Sequence, residues 1–275
     1  MSGRIAIVLA VCLVLTGCSG SEFTGPEVVD PDPIVAEYEA AYDAADFGRV
    51  QDVFAEDGVF FTAGDVHELG AGDDTALDAL GPDGWEFSRR YQVHAGDDLS
   101  VIDPVQVGAH AVAFGWTWQE LAAGTGTMAL RDGAVAAVVL SVEGIMGGAT
   151  AADVVDPILA EFEAASESSD ADRLRELFAE DATVATVADA HELYHGNEAL
   201  VGSFGLDGET FGWWVEDHRR EDLVIVEPVQ IGDDIAFGWG WEGGDSGTAV
   251  MDVEDGRIVV LVLTAADEPV TGSGG

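Results

Sequence analysis

Phe114-Gly115-Trp116-Thr117-Trp118 is written a second time as Phe237-Gly238-Trp239-Gly240-Trp241, with four of five residues shared. Trp is the residue least given to recurring by accident. Side chains alternate faces along a strand. Phe114, Trp116 and Trp118 therefore share one face, while Gly115 and Thr117 turn to the other. Three aromatics opposite small residues read as a strand filled on one side and closely approached on the other.

The match runs far beyond the strand. Asp32-Pro33-Ile34 recurs 124 positions later as Asp156-Pro157-Ile158, and Phe54-Ala55-Glu56-Asp57 as Phe178-Ala179-Glu180-Asp181. The same shift relates His67-Glu68-Leu69 to His191-Glu192-Leu193, His94 to His218, and Pro104-Val105-Gln106 to Pro228-Val229-Gln230. At the Trp strand the shift is 123, which puts a one-residue deletion near Ala109-His110. A period this long marks a duplicated domain rather than a solenoid. The expected division is a leader over 1–17, a tether over 18–32, domains over 33–143 and 157–265 joined by a linker over 144–156, and a tail over 266–275.

The chain of 275 residues is long enough for two ordinary cores, and its 48% hydrophobic content is that of a globular protein. It carries 53 acidic residues against 10 basic ones, a net charge of −43, and no Lys. Such a field repels phosphate backbones, so nucleic acid is excluded as a partner. No run of acids along the sequence marks a cation site. At the N-terminus, Arg4 precedes an apolar run from Ile5 to Leu15, too short to span a bilayer. The run ends in Leu15-Thr16-Gly17-Cys18, which resembles the bacterial lipobox. That resemblance implies cleavage before Cys18, a diacylglyceryl group on its thiol, and residence on the outer face of the cytoplasmic membrane. Cys18 is then the one mature cysteine, so no disulfide forms within the chain.

In chain order, Pro33 opens a helix with Ile34, Tyr38, Ala41, Tyr42 and Ala45 at helical spacing. Asp46 caps a second helix carrying Val50, Val53 and Phe54, closed by Glu56-Asp57-Gly58. Val59–Thr62 is the first strand, followed by a loop with His67-Glu68-Leu69 and a third helix over 73–80. Strands follow over 89–94, 99–107, 111–119, 126–131 and 135–142, with a hairpin turn at Asp132-Gly133. Two helices, a strand, a short helix and a run of antiparallel strands define an α+β order.

Tyr42…Asp46…Val53-Phe54-Ala55-Glu56-Asp57, with Gly72 before the third helix, resembles the opening of the NTF2-like superfamily, nearest its SnoaL-like and ketosteroid-isomerase-like branch. The resemblance implies two tandem cones, each a curved antiparallel sheet wrapped around a long N-terminal helix, with a pocket at the open end. It also implies pairing through the sheets, here an intrachain pseudo-dimer. Isomerase chemistry is not carried over. Tyr38 holds the branch's Tyr position, but Phe162 replaces it in the second copy. Thr62 and Thr186 stand where the branch has its general-base carboxylate, and Met128 and Met251 fall near its protonated Asp. A Thr hydroxyl does not abstract a carbon-bound proton near neutral pH.

The polar candidates are His67, Glu68 and His94, with counterparts His191, Glu192 and His218. A His beside a carboxylate works as a general base or a metal ligand; the plainer alternative is that these residues bond loop backbone and repeat through shared ancestry. His195, without a counterpart, receives less weight; no Gly-rich phosphate loop, His-Glu-x-x-His motif or Ser-centred elbow is recognised, and no metal set or cofactor is assigned. Trp116, Trp118, Trp239 and Trp241 either line a pocket for an apolar ligand or pack as core and sheet interface, the latter being favoured. The predicted function is a lipid-anchored, extracytoplasmic small-ligand-binding or interaction module. Its rivals are a SnoaL-like enzyme using His67 or His94, and an inert envelope protein with filled pockets.

Overall fold

The computed structural model describes residues 25–72, 99–118, 122–142, 157–168, 170–216, 222–242, 244–267 and 270. Its first helix, α1 (Pro33–Asp43), begins where the sequence places it: the Asp32 carboxylate accepts from the Ile34 amide at 2.9 Å, and Pro33 needs no partner at the first position. Val35, Tyr38, Ala41 and Tyr42 form its buried stripe. Asp46 caps α2 (Phe47–Val53) in the same way. Glu56-Asp57-Gly58, expected to close that helix, instead lies inside a strand. β2 (Phe54–Thr62) starts directly after Val53, and its pairing slips between Phe54 and Val59, so the acids sit in a bulge.

His67-Glu68-Leu69 is not in a loop. It belongs to α3 (Ala63–Gly70), nucleated by a capping box in which Thr62 and Asp65 bond reciprocally. Ala63, Val66 and Leu69 turn inward at a spacing of three. The expected helix over 73–80 and strand over 89–94 lie outside the described residues. β3 (Leu99–Val107), β4 (Ala111–Trp118), β5 (Ala122–Arg131) and β6 (Ala134–Leu140) follow as a meander, with Asp132 and Gly133 both at positive φ in the last hairpin. A short edge strand, β1 (Val28–Val29), pairs with β3, so part of the expected tether is ordered against the sheet.

The second half repeats these elements: α4 (Pro157–Glu167), α5 (Ala171–Glu176), β7 (Phe178–Thr186), α6 (Val187–Tyr194), a helical turn (Glu198–Gly202), α7 (Glu209–Glu216), β8 (Leu223–Ile231), β9 (Asp234–Trp241), β10 (Ser246–Glu254) and β11 (Arg257–Ala265). Two curved sheets result, of six strands ordered β1-β3-β4-β5-β6-β2 and five ordered β7-β11-β10-β9-β8. They are mixed rather than wholly antiparallel, because β2 runs parallel to β6 and β7 to β11. Equivalent bulges bend β3 and β8: Asp103 and Glu227, each before a Pro, take φ of 44° and 46°, and the pairing slips there in both sheets.

The opening stretch shows why both faces of a sheet matter. Phe114, Trp116 and Trp118 are buried with Tyr38, Tyr42 and Met128 under α1 and α2, while Phe237, Trp239 and Trp241 are buried with Phe162, Trp214 and Met251 under the second half's helices. The Trp116 and Trp239 indoles donate to the Thr125 and Thr248 carbonyls, each at 3.0 Å. The opposite faces meet across the halves. Thr127 Oγ1 bonds Thr248 Oγ1 at 2.7 Å and Thr264 Oγ1 at 2.8 Å, and Ser141 donates to Asp234. Phe61, Val66 and Val139 share one apolar cluster with Val187, Val250 and Val262.

Glycine sets the spacing of the two sheets. A Cβ on Gly115 would lie 2.9 Å from Ile231 Cδ1, and one on Gly238 2.7 Å from Val226 Cγ2 and 3.0 Å from Val107 Cγ2. Gly238→Ala is expected to cost about 1–3 kcal/mol through overpacking. Gly212→Ala, in α7 with open space around its Cβ, is expected to be neutral or to gain up to about 1 kcal/mol of helix propensity. Denaturant unfolding of both variants checks this; equal stability of Gly238→Ala and wild type would refute the close-approach role.

Candidate functional site

The residues that would carry isomerase chemistry are engaged in structure. Tyr38 is buried in edge contact with Tyr42 at 5.1 Å, and burial, with the neighbouring Tyr42, pushes its phenol well above the ordinary range. Thr62 and Thr186 cap α3 and α6. Met128 and Met251 are core residues. Trp116, Trp118, Trp239 and Trp241 are likewise packed within the cores, each at most 5% exposed. Cys18, His94 and His218 lie outside the described residues.

His67 and His191 are turned to the opposite halves. Helices α3 and α6 cross to the opposite half, and each His bonds that half's first strand. His67 Nδ1 meets Thr183 Oγ1 of β7 at 2.9 Å, and His191 Nε2 meets the Asp57 carbonyl of β2 at 2.9 Å. His195 Nε2 reaches the same carbonyl at 3.1 Å. Burial pushes the fully enclosed His191 below the ordinary imidazole value, against the opposing pull of its bond to Asp57. Burial by itself would raise the Asp57 carboxyl, but its pairing with Arg131 brings it below the usual range. Arg131 in turn donates to the Val270 carbonyl at 2.8 Å.

His195 is a residue that the sequence reading set aside for lack of a counterpart. The signal was present: His191-Glu192-Leu193-Tyr194-His195 is a His-Glu-x-x-His spacing, and two His four apart share one helix face. The two rings lie 4.5 Å apart, on the side facing Asp57. Glu192 turns elsewhere, accepting from Asn197 Nδ2 at 2.9 Å.

Glu192 and Trp239 instead line a cleft of about 460 Å³ in the second half. Trp213 of α7 and Trp239 of β9 stand edge to face at 6.1 Å on its wall. Five carboxylates surround it: Asp189, Glu192, Glu209, Asp245 and Asp267. Among the described residues that line it there is no Arg or His. Thr210 bridges the wall by donating to Asp189 at 3.1 Å. These acids are scattered over 79 positions of sequence and become neighbours only through the fold. Glu68, the counterpart of Glu192, is exposed on α3.

The chain matches no family model and no curated protein. Solved structures similar to it include a hypothetical protein of ketosteroid isomerase-like fold from Catenulispora acidiphila, in complex with trimethylamine. That protein is 15% identical over 40% of this chain and 85% of its own, with a TM-score of 0.30. A SnoaL-like protein of unknown function from Burkholderia thailandensis is 15% identical over 39% of this chain and 89% of its own, TM-score 0.31. A putative polyketide cyclase from Streptomyces antibioticus is 15% identical over 43% of this chain and 96% of its own, TM-score 0.32.

The cross-half role of His67 is open to a double-mutant cycle. His67→Ala and Thr183→Val are each expected to lower stability, with a coupling of about 0.5–1.5 kcal/mol, the size of one net hydrogen bond. Strictly additive effects in denaturant titrations would show that the contact contributes nothing.

Proposed function

We propose that this chain is a lipid-anchored, extracytoplasmic binding protein built from two tandem NTF2-like domains joined as an intrachain pseudo-dimer, and that its second domain holds the ligand. The lipobox-like Leu15-Thr16-Gly17-Cys18 supports the anchor. The duplicated motifs, the equivalent element boundaries and the helix-filled sheet faces support the two cones. The cleft of the second half carries the functional reading. Its wall presents the half-buried Trp213, backed edge to face by the buried Trp239, and its five carboxylates supply negative potential with no compensating base among the described lining residues. That combination suits a small organic cation with an apolar or flat body, held by cation–π contact and by the local field. A binding role fits this lining better than acid–base catalysis, since His67 and His191 are committed to contacts between the halves.

The ligand reading is checked with benzyltrimethylammonium against neutral benzyl alcohol, by calorimetry or by quenching of Trp fluorescence. Saturable binding of the cation alone is expected, weakened about tenfold in Trp213→Ala by loss of roughly 1–2 kcal/mol of cation–π contact. Equal binding of the neutral probe would sink the cationic reading. For the anchor, Cys18→Ala is expected to move the protein from the membrane to the soluble fraction. Retention at the membrane in that variant would contradict it.

A further inference from the structure

We infer that Asp57, His191 and His195 form a metal site of the zinc class, which staples the two halves of the chain together. The site is separate from the cleft and goes beyond the binding role. Its donor atoms come from both halves: the carboxylate from β2, the two imidazoles from α6 and its C-terminal cap. The three atoms lie within 4.8 Å of one another, and His191 Nε2 is 4.0 Å from Asp57 Oδ2. A tetrahedral zinc ion with bonds near 2.0–2.2 Å needs donors about 3.3–3.6 Å apart. Rotation of the exposed His195 ring and a small swing of the Asp57 carboxylate close that gap. Both Nε2 atoms are already held beside Asp57, donating to its carbonyl at 2.9 and 3.1 Å. Metal binding replaces these two hydrogen bonds, each neutral ring then carrying its proton on Nδ1 so that the Nε2 lone pair can ligate.

The chemistry of the donors agrees. Two imidazoles and a carboxylate leave a fourth position for water, a set that selects zinc or a similar divalent ion over calcium or magnesium. Arg131 pairs with the Asp57 carboxylate and orients it, as outer partners of metal ligands do. A surface depression of about 570 Å³ gives solvent a route to Asp57, and Glu56 and Asp132 on its wall offset the charge of Arg131 and draw cations inward. The His-Glu-x-x-His spacing elsewhere accompanies metal-dependent proteolysis, with the Glu as general base beside the metal. Here Glu192 faces the cleft and Asn197, away from Asp57. The inferred role is therefore structural. The site also exists once per chain: Ala71 takes the place of His195 after His67.

The test uses the full-length chain, stripped with chelator and titrated with Zn2+ alone, then with Co2+ as a spectroscopic stand-in. One equivalent of Zn2+ is expected to bind and to raise Tm, and Co2+ to give the visible bands of a tetrahedral nitrogen–oxygen site. His195→Ala, at an exposed position, is expected to weaken binding by at least about tenfold and to abolish both the Tm increase and the bands. His67→Ala is expected to leave the metal affinity unchanged. Absence of a saturable equivalent, or equal affinity and Tm response in His195→Ala, would overturn the site in favour of diffuse binding to surface carboxylates. A thiolate-to-Co2+ band would overturn it in favour of Cys12 or Cys18.

Discussion

The structure depends on the contact between the backs of its two sheets. Each half fills one sheet face with its own helices and aromatics, which leaves the other face, small and β-branched, needing cover. Thr127, Val139, Val250 and Val262 supply that cover mutually, and Gly115 and Gly238 let the backbones approach. Left in water such a face would be an exposed apolar patch, and each half covers that of the other. The fixed geometry of the contact then determines where α3 and α6 fall. Both helices leave their own first strand and pack on that of the opposite half, taking His67 and His191 with them.

Much of this was legible in the sequence, for identifiable physical reasons. The edges of β3, the Asp132-Gly133 turn and the start of α1 follow from alternation, positive-φ turn chemistry and a capped Pro. The alternation of Phe114-Gly115-Trp116-Thr117-Trp118 also gave both faces correctly. What escaped was short or dispersed. Helix α3 has only eight residues, and its capping box uses Asp65 rather than the Glu or Gln that flags such boxes. Glu56-Asp57-Gly58 reads as a helix stop because a bulge has no periodic signature. The acids of the cleft lie on different elements, so no window along the chain reveals them.

The candidate site is less legible in the sequence, because repetition between the halves marks shared scaffold as strongly as it marks chemistry. Repetition singles out His67 and His191 and passes over His195. The repeated His residues each bond across the halves, though through different ring nitrogens to non-equivalent partners, while the unrepeated one completes a cluster with Asp57 and His191. Likewise the aromatic of interest on the cleft wall, Trp213, stands where the first copy has Arg89. In a duplicated chain the shared residues report on the common scaffold, and the differences are the place to seek chemistry.

The covalent joining of the copies has a consequence for stoichiometry. In a two-fold dimer of identical subunits, any mutation appears on both sides of the axis, so every site comes in pairs and must be tolerated twice. Fusion removes that coupling. Ala71 and His195, or Arg89 and Trp213, can differ because each is encoded separately. Each half can then carry side chains that its twin never has to accommodate.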